Sequence, residues 1–78
     1  MMAERLDVRR MLLRRGWVED GHGVLRKDGA VFGSTGAGDA FLSGPGRGRR
    51  GEWTADFPSG VCARVIVAAA EAAAGVGL

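Results

Sequence analysis

An arginine-rich segment, residues 44–51, carries the side chains best suited to binding chemistry. It reads Gly-Pro-Gly-Arg-Gly-Arg-Arg-Gly and holds Arg47, Arg49 and Arg50 with no acid among them. Glycine lets a backbone approach a groove closely, and arginine is attracted by the concentrated negative potential of a narrow minor groove. We expect these three side chains to contact nucleic-acid phosphates. The alternative is a solvated loop whose charge only keeps the chain soluble.

A second group of arginines lies near the start of the sequence. Residues 1–15 hold five arginines against Glu4 and Asp7, although the formal net charge of the whole chain is only +2. Such clustering indicates a negatively charged partner more clearly than the total charge does. The predicted nucleic-acid surface therefore also includes Arg10, Arg14 and Arg15.

The Arg-Gly-Arg string at 47–49, preceded by Pro45, resembles the core of an AT-hook. That resemblance implies binding in the minor groove of A·T-rich DNA. The match is partial, because Arg50 stands where the hook has its second proline and Pro45 is one residue too early.

Residues 34–41, Ser-Thr-Gly-Ala-Gly-Asp-Ala-Phe, resemble the anion-hole signature of the ribokinase-like sugar and nucleoside kinases. The resemblance implies a phosphate cradle at residues 36–38 and a catalytic base at Asp39. That family needs a large upstream domain and a long helix after the aspartate. Here only 33 residues precede the motif and Pro45 follows it closely. We therefore interpret the match as coincidental and the segment as a turn-rich connection.

The remaining reactive residues are few. Cys62 is the only cysteine and His22 the only histidine. They allow neither a disulfide within the chain nor a tetrahedral metal site. With one histidine and no supporting scaffold, neither a Ser-His-Asp nor a Cys-His-Asp arrangement is credible. We expect no catalytic residue, no cofactor and no metal, and hence no enzyme.

Composition indicates an origin and a location. Ten arginines against one lysine, with abundant glycine and alanine, are typical of a GC-rich, actinobacterial genome. No apolar region follows the early arginines as it would in a secretory signal. The longest apolar run, 65–70, is far short of the roughly 20 residues that a membrane span needs. The prediction is a cytoplasmic protein that does not enter a membrane.

The hydrophobic pattern predicts a single α+β domain over residues 1–78, with the element order α-β-β-β-β-α. In this fold an antiparallel sheet of three to five short strands carries both helices on one face. The first helix is predicted over 3–15, with Gly16 as its stop. Its apolar residues are seven or four positions apart, namely Leu6, Val8, Leu12 and Leu13. Arg5 and Arg9 project into that arc, and we expect their stems to cross the core edge with their heads in water.

Turn and alternation signals locate the strands. Asp28-Gly29 predicts a tight hairpin, and a glycine-rich loop is predicted from Gly33 to Asp39. Residues 52–57 alternate cleanly, which predicts a half-buried antiparallel strand with Trp53 and Phe57 on its inner face. Trp53, like Trp17, is expected to anchor the core.

The last helix, predicted over 60–74 with Ser59 as its N-cap and Gly75 as its end, is apolar almost all round. Its only charges are Arg64 and Glu71. A helix apolar on every side is usually buried on every side, so we expect it to pack on its own sheet and against a second copy. The predicted homodimer or partner interface consists of Val61, Val65, Ala68, Ala69 and Ala72. The alternative is a monomer with harmlessly exposed alanines.

The C-terminal third resembles a family of unknown function common in actinobacteria and their mobile elements. The resemblance consists of the strand 53–57, the turn 58–60 and the Ala-rich helix 61–74. It implies a fold and no catalytic residues. We therefore expect a small non-enzymatic binding or regulatory protein of an actinobacterium or its phage, with nucleic-acid phosphates as partner. The alternative is a protein-interaction module that binds a host or self partner through its last helix.

Overall fold

Two helices and five strands follow one another in the residues that the computed structural model describes, which are 5–21, 23–44 and 53–75. They are α1 (Leu6–Arg14), β1 (Val18–Glu19), β2 (Leu25–Lys27), β3 (Ala30–Ser34), β4 (Ala40–Gly44), β5 (Trp53–Phe57) and α2 (Ala63–Ala73). The strands form one antiparallel sheet in the order β1-β2-β3-β4-β5. The predicted α+β fold, with up to five strands between two helices, is confirmed.

The β2–β3 connection is the tight turn that the Asp-Gly pair predicts. Asp28 has a φ of 48° and Gly29 a φ of 88°. Two successive positive φ angles are the requirement of a type I′ turn, whose twist matches that of the flanking strands. Lys27 pairs with Ala30 across the turn, and the predicted hairpin is confirmed.

One face of the sheet, here called the inner face, carries the side chains that pack against both helices. Phe32 of β3 pairs with Leu25 of β2 on one side and with Leu42 of β4 on the other. All three side chains are fully buried together with the apolar helix residues Val8, Leu12, Ile66, Val67 and Ala70. Burying a side chain of this size contributes about 1.5–3 kcal/mol, so this cluster is the main source of stability.

The apolar side of α1 is narrower than predicted. Val8 and Leu12 are buried, whereas Leu6 is 56% exposed and Leu13 is 44% exposed. The prediction that these two leucines join the core is wrong, because only one turn-to-turn stripe of a helix can face the sheet. The described helix begins at Leu6, since Arg5 has a left-handed φ of 54°. Gly16, with a φ of 93°, ends it as predicted.

The last helix begins later than predicted, at Ala63 instead of residue 60. The Val61 N–H donates to the Pro58 carbonyl oxygen at 3.0 Å, which closes a turn before the helix. Ser59 lies within that turn and therefore is not the N-cap; Cys62 holds that position with an extended backbone. Gly75 closes the helix as predicted, with a φ of 83°. Neither this helix nor any other in the described residues is long and apolar enough to cross a membrane.

A glycine of β3 accommodates an aromatic ring on the opposite, outer face of the sheet. Gly33 pairs with Phe41 of β4. A Cβ added at Gly33 would lie 2.3 Å from the Phe41 Cζ and 3.0 Å from a Val24 methyl carbon. The ring therefore covers the backbone where a side chain would otherwise stand. This close packing keeps Gly33 in the strand and not in the loop that its sequence context predicts.

Substituting Gly33→Ala should lower the free energy of unfolding by about 1–3 kcal/mol, because the new methyl group must displace the Phe41 ring. Urea denaturation followed by circular dichroism measures the change. Gly36→Ala is the matched control, since a Cβ there meets nothing within 4 Å. That variant should change stability by less than about 1 kcal/mol. Equal effects of the two substitutions would contradict the packing of Phe41 on Gly33.

Candidate nucleic-acid interface

Two predicted arginines project freely from α1. Arg10 and Arg14 are one helical turn apart and exposed. They lie on the side of α1 opposite Val8 and Leu12, which are buried in the core. Neither guanidinium forms an ion pair or a side-chain hydrogen bond with another described residue. Two uncompensated charges on one helix face are available to an anionic partner.

Arg15 lies where α1 meets α2. Its Nη1 is 3.6 Å from the Glu71 Oε1, and the Glu71 Oε2 accepts a hydrogen bond of 2.9 Å from the Trp17 indole N–H. The Lys27 ammonium donates to the Arg15 carbonyl oxygen at 2.8 Å, which fixes the end of α1 against β2. The Arg15 side chain is still half exposed.

A groove of about 410 Å³ separates the two helices on their solvent side. Its lining residues are Met11, Arg15, Arg64, Val67, Ala68 and Glu71. Arg64 is exposed and, like Arg10 and Arg14, has no ion-pair partner among the described residues. The guanidinium groups of Arg15 and Arg64 in the groove thus add to those of Arg10 and Arg14 on the outer side of α1. The one carboxylate in the groove, that of Glu71, already contacts Trp17 and Arg15.

The other two arginines of this region are structural. Arg5 is only 9% exposed, and its guanidinium donates to the carbonyl oxygens of Ser59 and Val61. Its head group therefore lies inside the protein and not in water, contrary to the prediction. Arg9 donates to the Gly23 carbonyl oxygen and pairs with Glu19 at 2.8 Å. Neither side chain is free to bind a phosphate.

The outer face of the sheet has a different charge balance. Arg26 pairs with Asp20 at 3.1 Å, and the same face carries the exposed Asp56. In the described residues, the arginines without acidic partners are therefore all on the helical side. An anionic surface would be attracted to that side and not to the open side of the sheet.

The arginines of the segment 45–52, which are Arg47, Arg49 and Arg50, lie outside the described residues. The segment leaves the sheet at Gly44 and rejoins it at Trp53, which pair with each other. In an antiparallel meander the β2–β3 turn lies at the same end of the sheet as this pair. Lys27, at that turn, holds the end of α1. The end of α1 and the Gly44–Trp53 pair therefore lie at the same end of the sheet.

The predicted interface residues of the last helix divide into two groups. Val65 is 53% exposed, and Ala68 and Ala72 are exposed on the same side of α2. Val61 and Ala69 are partly buried and pack against the protein's own core. An apolar stripe does face solvent, but it is narrower than the sequence indicates.

The kinase-like string spans the turn between β3 and β4, so that a strand, β4, and not a helix comes directly after Asp39. Its main-chain N–H groups are used within the turn: that of Ala37 donates to the Thr35 hydroxyl and that of Gly38 to the Thr35 carbonyl oxygen. The Asp39 carboxylate accepts from the Ser59 N–H at 3.0 Å. Two N–H groups that a phosphate cradle would need are therefore already occupied.

A second open cleft, also of about 410 Å³, lies beside this turn and the end of β5. Asp39 and Asp56 line it together with the apolar side chains of Phe41, Phe57 and Pro58. Its carboxylates would repel an anion. No three His, Cys, Asp or Glu side chains of the described ranges come together as a metal site.

Comparison with known proteins found no match: the chain matches no family model, no curated protein and no solved structure. The resemblance of the C-terminal third to an actinobacterial family therefore stays a prediction. Arg64 and Glu71 are the site residues whose roles the sequence did not reveal. These two residues are seven positions apart and therefore lie on the same side of α2, but nothing in the sequence indicates that α1 packs against that side.

Trp17→Phe should lower the free energy of unfolding by about 1.5–3 kcal/mol, because the partly buried Glu71 carboxylate loses its indole donor. The same substitution in a Glu71→Ala background is the control, because the carboxylate that the indole binds is then absent. There it should cost at least about 1 kcal/mol less than in the wild type. Urea denaturation monitored by circular dichroism compares the two, and an equal loss in both would show that the bond to Glu71 does not stabilise the helix pair.

Proposed function

We propose that this chain is a non-enzymatic binding protein that contacts nucleic-acid phosphates through the helical side of the fold. The observation that supports it best is the pair Arg10 and Arg14, exposed on one face of α1 without acidic partners. Arg15 extends this surface into the groove between the helices. Arg47, Arg49 and Arg50 add three further charges in the segment that follows β4. The role that we propose is regulatory or accessory, in the cytoplasm of an actinobacterium or its phage, an origin of which the Arg-rich, Gly- and Ala-rich composition is typical.

Arginine suits this role better than lysine would. Its planar fork donates two parallel hydrogen bonds to phosphate oxygens and is only weakly hydrated, so it loses little on leaving water. Each phosphate that is neutralised releases a condensed counterion, so the affinity must fall as salt rises. Contacts to phosphates alone carry no base preference. A preference for A·T-rich duplexes would have to come from the AT-hook-like string at 47–49.

Replacing Arg10 and Arg14 together by alanine should weaken binding to a labelled duplex and reduce the slope of log affinity against log salt by about two, one for each lost phosphate contact. Fluorescence anisotropy at about 50 and 200 mM salt measures both quantities. A·T-rich and G·C-rich duplexes of equal length should respond equally to this pair of substitutions.

Arg26→Ala is the matched control, because this exposed arginine lies on the outer face and is neutralised by Asp20. It should leave the affinity and the salt slope unchanged. Replacing Arg47, Arg49 and Arg50 by alanine tests the other arginine group, and loss of any A·T preference in that variant alone would assign the preference to it. Absence of binding at the lower salt, or an equal loss in the Arg26 variant, would contradict the proposal.

A second candidate function rests on the exposed stripe of α2. Val65, Ala68 and Ala72 present a flat apolar surface, and alanine allows a partner backbone to approach closely. A contiguous exposed apolar patch marks a protein-protein interaction site when it is large. In this alternative the chain is an interaction module that binds a host protein or a second copy, and the free arginines keep it soluble.

Placing the photo-crosslinking residue benzoylphenylalanine at Ala68 tests this alternative in expressing cells. A covalent product of defined mass is expected if α2 is an interface, and the mass separates a second copy from another protein. The same residue at Gly36, in an exposed turn, is the control. The exposed stripe of α2 is not an interface if irradiation gives no crosslinked product with the probe at Ala68, or gives the same products with the probe at either position.

A further inference from the structure

Strand β5 is a free edge of the sheet. It pairs with β4 on one side, and no other strand of the described residues pairs with it on the other. The unpaired N–H and C=O groups of such an edge are a template for another strand. The opposite edge, β1, has only two residues, whereas β5 has five and contains no proline. Of the two edges, β5 is the one long enough to accept a partner strand.

The inner face of β5 is also incompletely covered. The main contacts of helix α2 with the sheet are to β3 and β4, and β5 receives less cover from it. Trp53 is consequently 40% exposed, although it belongs to the inner face, where its ring lies over Gly44. Ala55 and Phe57 follow it on the same face and are half-buried. A strand added beside β5 would extend this face and cover these side chains.

We infer that the added strand is β5 of a second copy, paired antiparallel about a two-fold axis through Ala55. A closed two-fold pair uses the same surface on both copies, so every contact occurs twice. All five residues of β5 then have an opposite residue. Trp53 faces the partner's Phe57, Thr54 faces the partner's Asp56, and Ala55 faces the partner's Ala55.

The side chains select this register. Opposed aromatic residues stabilise a strand pair, and a threonine hydroxyl can donate to an opposed carboxylate. A register centred on Asp56 would instead set that carboxylate against the partner's Asp56, which is unfavourable. A shift by one residue would turn the helices of the two copies to opposite faces of the joined sheet and leave the aromatic side chains unmatched.

The dimensions of the joined sheet leave room for these aromatic side chains. Helix α2 lies over β3 and β4, so the two α2 helices would stand about four strand spacings apart, or about 19 Å. That is about twice the usual distance between packed helices. The space between them would hold Trp53 and Phe57 of both copies. The inference uses neither the exposed stripe of α2 nor the arginines of α1, so it does not depend on the proposed function.

Thr54→Asp tests the register, because it sets a new carboxylate against the partner's Asp56 twice in each dimer. Thr54 is exposed in the single chain, so the variant should fold, and circular dichroism verifies this. Light scattering at micromolar concentration should give twice the 8.1 kDa chain mass for the wild type. The dissociation constant of the variant should rise by about tenfold or more. Thr54→Asn, of similar size without the charge, should remain dimeric.

A charge reversal distinguishes this edge from any other interface. The double variant Thr54→Asp with Asp56→Lys opposes an acid and a base at both positions and should restore the dimer. A wild-type mass of one chain would overturn the inference. It would also be overturned if Thr54→Asp left the dimer intact, or if Val65→Asp on α2 dissociated it and Thr54→Asp did not.

Discussion

The helical layer is narrower than the sheet beneath it. The main contacts of α1 with the sheet are to β2, and those of α2 are to β3 and β4. The two outer strands, β1 and β5, are therefore the least covered by the helices. Trp53 partly compensates by laying its ring across Gly44, where a side chain would stand 2.5 Å from the indole Cζ2. The exposure of Trp53 and its close approach to Gly44 both belong to this incompletely covered edge.

Polar contacts at both ends of α1 fix the direction in which its arginines point. Before the helix, the buried Arg5 guanidinium binds the carbonyl oxygens of Ser59 and Val61, in the turn that precedes α2. After the helix, Trp17 donates to Glu71 in the second half of α2. Both contacts join residues more than fifty positions apart and hold the two helices together. Since α1 is held at both ends, the side bearing Arg10 and Arg14 is turned to solvent by its surroundings.

Local signals in the sequence predicted the fold well. The Asp28-Gly29 pair located a turn, Gly16 and Gly75 located helix ends, and the alternation of 53–57 assigned the inner face of β5. Such signals act within a few residues, where the chemistry of each residue decides the backbone. The burial of individual side chains was predicted less well, because burial depends on which elements become neighbours. Leu6 and Trp53 are exposed for this reason, since one faces away from the sheet and the other lies past the edge of the helical layer.

The same limit applies to the candidate interface. Charge clustering predicted Arg10, Arg14 and Arg15 as available cations, and the structure leaves the first two without partners in its described part. Helical periodicity separated them from Arg5 and Arg9, which it assigned to the apolar arc, but it predicted head groups in water for those two instead of the contacts that they form. Only the position of the turn before α2 and the position of Glu19 make that difference. Neither can be inferred from the residues around the arginines themselves.

The two proposals rest on different residues and are compatible in space. Pairing of β5 about Ala55 keeps both helical layers on the same side of the joined sheet. With α1 over β2, seven strand spacings separate the two α1 helices, and a sheet twist of about 20–25° per strand turns their exposed faces in different directions. The dimer would therefore carry two separate phosphate-binding surfaces. When one surface is bound to a long polyanion, the second contact with the same polyanion would form at high effective concentration.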